Sequence, residues 1–229
     1  MTIKDWLEKC TDLLTKAGIS TARLDCLVLL EDATDKDRSW LLAHPDRNLT
    51  DLGVIGPSYH SLQAKVERRA RHEPLAYIRG KTEFYGREFV VNKHVLVPRP
   101  ESETMIALAL MVIGERFEVR DKKTIVIDVG TGSGCLAVTM KLEIPESEVV
   151  ATDISSECLK VAKQNAVKLG ANVEFCKGNL LQPFYNLSPT TYTLVLANLP
   201  YVPDSHTINR AATHEPKIAI FGGPDGLDH

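Results

Sequence analysis

The feature that most restricts the fold of this chain is an apolar strand that runs directly into a glycine-rich turn. The strand is predicted over Thr124–Val129, and Gly130, Gly132 and Gly134 follow it at alternate positions. Glycines allow a backbone to turn tightly and to approach a ligand that a Cβ atom would repel. The residues from Leu136 onward have the apolar pattern of a helix. A strand, a glycine turn and a helix in this order are typical of the first unit of a doubly wound α/β sheet.

Strands and helices alternate along the chain after residue 100. Short apolar runs predict further strands over 148–152, 173–176 and 192–197. Longer runs predict helices over 103–117, 136–142 and 156–169. Because alternating strands and helices form parallel sheets, we predict an α/β fold with a parallel, doubly wound sheet.

The first part of the chain has a different pattern. Apolar residues from Ile3 to Leu14 recur at spacings of three and four, and such stripes continue to about Arg71, so residues 1–74 are predicted to form an all-helical domain. Short β-type runs then follow, broken by glycines, at 77–78, 84–86, 89–91 and 95–97. We interpret residues 75–98 as a β-hairpin linker and residues 99–229 as the α/β domain.

The glycine turn favours one class of cofactor. A dinucleotide-binding turn would have glycine at position 135, where this chain has Cys135, and Asp128 precedes the glycines. Both features favour a methyltransferase loop, which faces the amino acid and ribose of S-adenosyl-L-methionine, although a tight turn without a ligand is the alternative. The residues predicted to bind the cofactor in this turn are Asp128, Gly130, Thr131, Gly132, Ser133 and Gly134.

Residues after the next two strands are predicted to contact the same cofactor. Asp153 follows the second strand, where a carboxylate can accept hydrogen bonds from both ribose hydroxyls. A helix N-cap is the alternative role for Asp153. Asn179 follows the third strand, where an adenine-proximal residue is expected, and Leu180 beside it can pack on the ring.

The fourth predicted strand ends in the turn Asn198-Leu199-Pro200-Tyr201. The side-chain carbonyl of Asn198 and the backbone carbonyl of Leu199 can accept both hydrogens of a planar NH2 group, which orients its nitrogen toward an electrophilic methyl group. Tyr201 can stack on a flat substrate. A simple turn is the alternative, but the glycine turn upstream favours a site in which Asn198, Pro200 and Tyr201 are catalytic and Asn198 also lies beside the cofactor.

These motifs resemble the HemK/PrmC family, the protein-(glutamine-N5) methyltransferases of peptide-chain release factors. The resemblance covers nearly the whole chain. Its most specific segments are Pro-Arg-Pro-Glu-Ser-Glu at 98–103 and Gly-Gly-Pro-Asp-Gly-Leu at 222–227. The other matching segments are 73–78 with Gly80, 83–86, 128–134, 151–155, 198–201 and 215–216.

The resemblance implies a class I (Rossmann-like) methyltransferase that uses S-adenosyl-L-methionine and releases S-adenosyl-L-homocysteine. It implies an N-terminal helical domain that helps to recognise the release factor, and a target glutamine in the Gly-Gly-Gln loop of that factor. The residues it assigns to substrate binding are Asn198, Leu199, Pro200, Tyr201 and Arg99.

Two features depart from the family pattern. The family usually has proline where this chain has Leu199, but the family's contact there is a main-chain carbonyl, which leucine retains. Family members also continue beyond the position of His229 with a further helix and three strands. We therefore expect a shortened chain whose four parallel strands lie in the order 3-2-1-4. The fourth strand would be an exposed edge that a second copy or the tail 202–229 covers.

Composition argues against several other classes. The formal net charge is −3, so no overall basic field favours nucleic acid, and the one dense basic run near the site is 65–71. An N6-adenine nucleic-acid methyltransferase is still the alternative, because an exocyclic amine resembles a carboxamide. The five cysteines form no C-x-x-C pair, so we expect reduced thiols in the cytoplasm and no metal site. The sequence predicts no signal peptide and no membrane helix.

Overall fold

The computed structural model describes residues 1–116, 124–184 and 192–228 of the chain. These residues form two compact units, Met1–Arg79 and Gly80–His229. Within the described ranges, no helix is both long enough and apolar enough to cross a membrane. The separate roles predicted for residues 1–74, 75–98 and 99–229 stay predictions.

The first unit is all-helical, as its apolar spacing predicts. Its helices are α1 (Ile3–Lys16), α2 (Ala22–Thr34), α3 (Arg38–Ala43), α4 (Pro57–Ala70) and α5 (Leu75–Arg79). Thr2 and Asp5 cap the start of α1 reciprocally, because each side chain accepts a hydrogen bond from the backbone N–H of the other. The apolar faces of the helices meet in a core that includes the fully buried Trp6, Leu30 and Leu62.

The basic run at the end of α4 is engaged within this unit. Arg69 Nε donates to the Asp25 carboxylate at 2.6 Å, and the two side chains are only 13% and 6% exposed. Arg68 forms an ion pair with Glu73. These two arginines therefore join α4 to α2 and to the segment that follows α4.

A β-hairpin opens the second unit. Its strands are β1 (Lys81–Phe84) and β2 (Arg87–Val90), which pair antiparallel. Phe84 and Phe89 pack edge to face, with ring centroids 6.1 Å apart, and both are buried. The hairpin predicted from the runs at 84–86 and 89–91 is therefore confirmed, with its strands starting a few residues earlier.

The runs at 77–78 and 95–97 were wrongly predicted as extended strands. Tyr77 and Ile78 lie in α5, where their backbone N–H groups donate to the carbonyl of Pro74. The N–H of Val97 donates to the Glu215 carboxylate at 3.0 Å, and not to a neighbouring strand. Apolar runs of two or three residues have too little periodicity to separate a helix, a strand and a buried loop.

The rest of the second unit is a parallel sheet with helices. Its elements are α6 (Glu103–Arg116), β3 (Thr124–Val129), α7 (Cys135–Glu143), β4 (Glu148–Asp153), α8 (Ser156–Leu169), β5 (Glu174–Lys177) and β6 (Tyr192–Ala197). All the strand pairs in this sheet are parallel, and the spatial order is β5-β4-β3-β6. This order confirms the prediction of 3-2-1-4 for the four strands.

Strand β6 lies at the edge of the described sheet. It pairs with β3 on one side. Leu196 is buried, whereas Val195 on the opposite face is 44% exposed. Within the described residues the predicted edge is therefore present, with one apolar side chain on its open face.

Strand β3 ends in a carboxylate that supports the following turn. Asp128 is completely buried, and its Oδ2 accepts hydrogen bonds from Thr131 Oγ1 at 2.6 Å and from the Ala137 N–H at 3.2 Å. Its Oδ1 has no hydrogen-bond partner among the described residues. Burial raises the pKa of Asp128 from 3.8 to about 6, against the lowering effect of the two hydrogen bonds.

The raised pKa of Asp128 predicts a pH-dependent stability. Because the folded state binds this proton more tightly than the unfolded state, the stabilisation is present below about pH 4 and is lost as the pH rises through 6. The difference corresponds to on the order of 3 kcal/mol. Asp128→Asn cannot ionise, so its free energy of unfolding should fall less than that of the unsubstituted protein between pH 4 and 7. Urea unfolding at several pH values measures this, and parallel pH profiles would contradict it.

Candidate functional site

The register of the sheet brings three predicted functional residues to one edge. Val129 of β3 pairs with Thr152 of β4 on one side and with Ala197 of β6 on the other. The residues that follow these three in the chain are Gly130, Asp153 and Asn198. The carboxyl ends of parallel strands are where ligands bind in open α/β sheets.

The glycine turn between β3 and α7 is fixed from beneath. The Thr131 N–H donates to the carbonyl of Thr152 at 2.9 Å, and the Thr131 hydroxyl donates to Asp128. Asp128 has no exposed surface, so it acts on the turn through Thr131. Gly134 is the N-cap of α7. These contacts assign Asp128 and Gly134 to the shape of the turn.

Asp153 joins the turn to the next loop. Its Oδ2 accepts a hydrogen bond from the Gly132 N–H at 2.9 Å, and its Oδ1 accepts one from the Ser155 N–H at 2.8 Å. The N-cap of α8 is Ser155, whose Oγ accepts from the Cys158 N–H. The alternative role of Asp153 as the cap of this helix is therefore taken by Ser155, and the carboxylate faces a cavity.

A cavity of about 320 Å³ lies over the turn. Its volume falls within the usual range for small-molecule sites. Most of the predicted cofactor residues line it, namely Gly130, Thr131, Gly132, Ser133, Asp153, Asn179, Leu180 and Asn198. The structure therefore brings these residues together around one space.

A second cavity, of about 380 Å³, adjoins the first. Tyr201 lines it and is 74% exposed. The residues that line both cavities are Leu96, Arg99, Ser102, Asn198, Leu199, Pro200 and Ala219. We call these seven residues the shared wall, because they lie between the two cavities and line both of them.

Asn198 is anchored within the shared wall. Its Nδ2 donates to the Ser102 hydroxyl at 3.1 Å, and Ser102 is buried. No hydrogen bond among the described residues is accepted by the amide oxygen, so this oxygen is available as an acceptor toward a ligand.

Leu199 connects the turn 198–201 to the glycine turn. Gly130 has a φ of +70°, and a Cβ atom there would lie 3.2 Å from Leu199 Cδ2. The leucine side chain thus packs directly over the glycine backbone, at the position where the family usually has proline.

Arg99 is held by a buried carboxylate. Its Nη2 donates to Glu215 Oε1 at 2.6 Å, while Glu215 Oε2 accepts from the Val97 N–H. The Glu215 side chain is 2% exposed, whereas that of Arg99 is 43% exposed. The predicted substrate residue Arg99 therefore has one face fixed by Glu215 and another face in the cavities.

Two cysteines on the cavity wall are unsuited to nucleophilic chemistry at neutral pH. Burial raises the pKa of Cys135 to about 12 and the pKa of Cys158 to about 11. The thiol, and not the reactive thiolate, is therefore the dominant form of each. Cys158 Sγ donates to the carbonyl of His94 at 3.1 Å, which is a structural contact.

The sequence prediction omitted several residues that line the cavities. Some of them lie in segments that carry the family resemblance, which could have identified them: Pro98, Ser102, Ile154, Ser155 and Pro216. Others lie in positions without a motif, among them Lys93, His94, Ile208 and Asn209.

Comparison with known proteins finds similarity over most of the chain. Residues 5–80 match the model of the PrmC N-terminal domain, and residues 120–216 match a methyltransferase domain. The bifunctional methyltransferase of Rickettsia typhi is 34% identical, covering 99% of this chain and 46% of that protein. The chain thus spans about half the length of this kind of relative. Among solved structures, the hMettl16 catalytic domain in complex with the MAT2A 3'UTR hairpin 6 overlaps with 75% of this chain and 59% of that chain, at 16% identity and a TM-score of 0.46.

A relative of closer length decides the family. The release factor glutamine methyltransferase of Bacillus subtilis is 38% identical to this chain, covering 99% of this chain and 76% of that protein. The match of residues 5–80 to the PrmC N-terminal domain points to the same family. The chain belongs to the release factor glutamine methyltransferase family.

Proposed function

We propose that this protein transfers a methyl group from S-adenosyl-L-methionine to the side-chain amide nitrogen, N5, of a glutamine in a peptide-chain release factor. The target is the glutamine of the Gly-Gly-Gln loop. The observation that carries the proposal is the position of Asn198 in the wall between two cavities, one of which is lined by the glycine turn and Asp153.

The first cavity has the chemistry that this cofactor requires. Each oxygen of Asp153 accepts one backbone N–H, which leaves a lone pair on each for a ribose hydroxyl. Gly130 and Gly132 present backbone without Cβ atoms toward the amino-acid part, and Leu180 offers apolar surface to the adenine. Bound S-adenosyl-L-methionine supplies a methyl group on a positively charged sulfur. Asp153, the glycine turn and Leu180 would hold that group beside Asn198.

The shared wall orients the substrate amide. The Ser102 hydroxyl accepts a hydrogen bond from the Asn198 amide nitrogen, which orients the amide oxygen toward the substrate. The Asn198 oxygen then accepts one hydrogen of the substrate NH2 group, and the backbone carbonyl of Leu199 accepts the other. The nitrogen lone pair then faces the first cavity. Transfer would form the N–C bond as the S–C bond to the methyl group breaks, which would leave S-adenosyl-L-homocysteine, and the amide nitrogen would release one proton to solvent. Orientation of this kind is worth up to about 7–11 kcal/mol in favourable cases.

The first unit is proposed to contribute recognition of the release factor. It matches the PrmC N-terminal domain, and the relative from Bacillus subtilis has a release factor in its name. We propose a cytoplasmic location, because a translation factor is the substrate and because the five cysteines are free thiols.

Methylation of an adenine amine is the competing chemistry, and substrate choice separates the two. The chain should be incubated with methyl-labelled S-adenosyl-L-methionine and either a release factor or total RNA. Label should enter the release factor and should disappear when the glutamine of its Gly-Gly-Gln loop is replaced by alanine. Label in RNA, with none in the release factor, would contradict the proposal.

Two variants should separate cofactor binding from turnover in this assay. Asp153→Ala should weaken cofactor affinity by about 2–3 kcal/mol, the scale of hydrogen bonds to a charged group. Asn198→Ala should keep cofactor affinity and lose methylation, because its partner is the substrate amide. An unchanged cofactor affinity in folded Asp153→Ala would contradict the assignment of that carboxylate.

Ser102 should be required for turnover through its hydroxyl group. Without the anchor at Ser102 Oγ, the Asn198 amide can rotate and present either end to the substrate. Ser102→Ala should therefore lower kcat by about tenfold, since it removes one hydrogen bond of about 1–1.5 kcal/mol. Steady-state kinetics with a release factor measure this effect.

The conservative variant supplies the control for Ser102. Ser102→Thr keeps a hydroxyl at the same position and should restore most of the lost kcat. Cofactor affinity, measured by calorimetry, should be the same in both variants. Equal losses in the alanine and threonine variants would mean that the volume of the side chain matters and the hydroxyl does not.

A further inference from the structure

The glycine-rich segment 222–227 lies directly behind the substrate turn 198–201. The Val202 N–H donates to the carbonyl of Ile220 at 3.1 Å, and the Gly222 N–H donates to the carbonyl of Val202 at 3.0 Å. Val202 and Phe221 form a parallel bridge. Val202, which follows the substrate turn, is thus bound by backbone hydrogen bonds to Ile220 and to Gly222, the first residue of the glycine segment.

Two glycines of this segment touch the carbonyl groups of the substrate turn. A Cβ atom on Gly222 would lie 2.6 Å from the Pro200 carbonyl oxygen and 2.8 Å from the carbonyl oxygen of Gly226. A Cβ atom on Gly226 would overlap the carbonyl oxygen of Tyr201. These neighbours are backbone atoms, which cannot swing aside as the end of a flexible side chain can.

The turn has little freedom to absorb such a displacement. The pyrrolidine ring of Pro200 fixes its φ, so a push on its carbonyl must move either the Leu199–Pro200 peptide or Tyr201. The Leu199–Pro200 peptide contains the Leu199 carbonyl, and Tyr201 lines the second cavity. The first movement changes a carbonyl that the proposed reaction uses, and the second changes a side chain that is predicted to stack on the substrate.

We propose that Gly222 and Gly226 are positioning residues that set the carbonyl groups of the substrate turn. Because these glycines have no side chains, the segment 222–227 can lie in contact with the turn and fix the orientation of its carbonyl groups. This inference rests on the proposed function of the turn. It assigns a role in turnover to the segment 222–227. None of the described hydrogen bonds of this segment goes to the glycine turn or to Asp153.

The first test compares Gly222→Ala with Gly114→Ala. Neither glycine has a positive φ, but no atom outside its own helix lies within 4 Å of a Cβ on Gly114 in the described structure. Gly222→Ala must move the Pro200 carbonyl by several tenths of an ångström, and misplacement of about 1 Å can cost about 100-fold in rate. We expect kcat on a release factor to fall by about tenfold or more. The cofactor Kd should stay within about twofold of the unsubstituted value, and Gly114→Ala should keep full kcat.

The second test compares Gly226→Ala with Gly170→Ala. Both glycines have positive φ, +83° and +70°, so both substitutions strain the backbone similarly, but a Cβ on Gly170 meets no described atom within 4 Å. Gly226→Ala should lower kcat, and Gly170→Ala should lower only the melting temperature. If Gly222→Ala does not fold, this second pair decides the proposal.

Amide hydrogen exchange separates this proposal from the proposed function. Gly222→Ala should speed exchange of the Tyr201, Val202 and Asp204 amide hydrogens and leave residues 130–155 unchanged, whether or not the protein methylates a release factor. An inactive unsubstituted protein with this exchange pattern would refute the function and keep the positioning role. Unchanged kcat and exchange in Gly222→Ala, or a loss of cofactor affinity as large as the loss of kcat, would overturn the positioning role.

Discussion

The pairing of β3 with a parallel strand on each side is the constraint on which the site depends. Val129 is level with Thr152 and Ala197, so the chain leaves all three strands at the same height. A slip of β6 by one residue would turn every side chain of that strand to the other face. Asn198 would then point away from the cavity that Asp153 lines, and the two halves of the site would separate although each turn kept its own local structure.

Much of this arrangement could be predicted from the sequence because it depends on local patterns. The bounds of β3, β6 and α8 agree with the predicted 124–129, 192–197 and 156–169, since each is a long apolar or amphipathic run with clear ends. The strand order followed from the family resemblance. The glycine turn was predictable because its three glycines lie within five residues, and the backbone freedom that they supply is needed in that one short loop.

The contacts that complete the site could not be predicted in this way, because their partners are far apart in the chain. The Val97 N–H meets a carboxylate 118 residues away, and Asn198 meets a hydroxyl 96 residues away. Asn165 bonds to both backbone groups of Val90 and to the carbonyl of Ser133, which fixes the hairpin to the glycine turn. The residue type indicates that such a side chain can form hydrogen bonds, but its partner depends on which distant residues the fold brings close to it.

The two halves of the site are consequently held by different parts of the chain. The glycine turn is stabilised by residues that are close to it in sequence or in the adjacent strand, such as Asp128, Thr152 and Asp153. The turn 198–201 is held by Ser102, which bonds to Asn198, and Gly222 lies against the carbonyl of Pro200. Leu199 is the point where the halves meet, because its side chain packs on the backbone of Gly130. A larger residue at Gly130 would therefore disturb the turn 198–201 through Leu199 as well as the cavity beside Asp153, whereas changes behind the turn 198–201 need not reach that cavity.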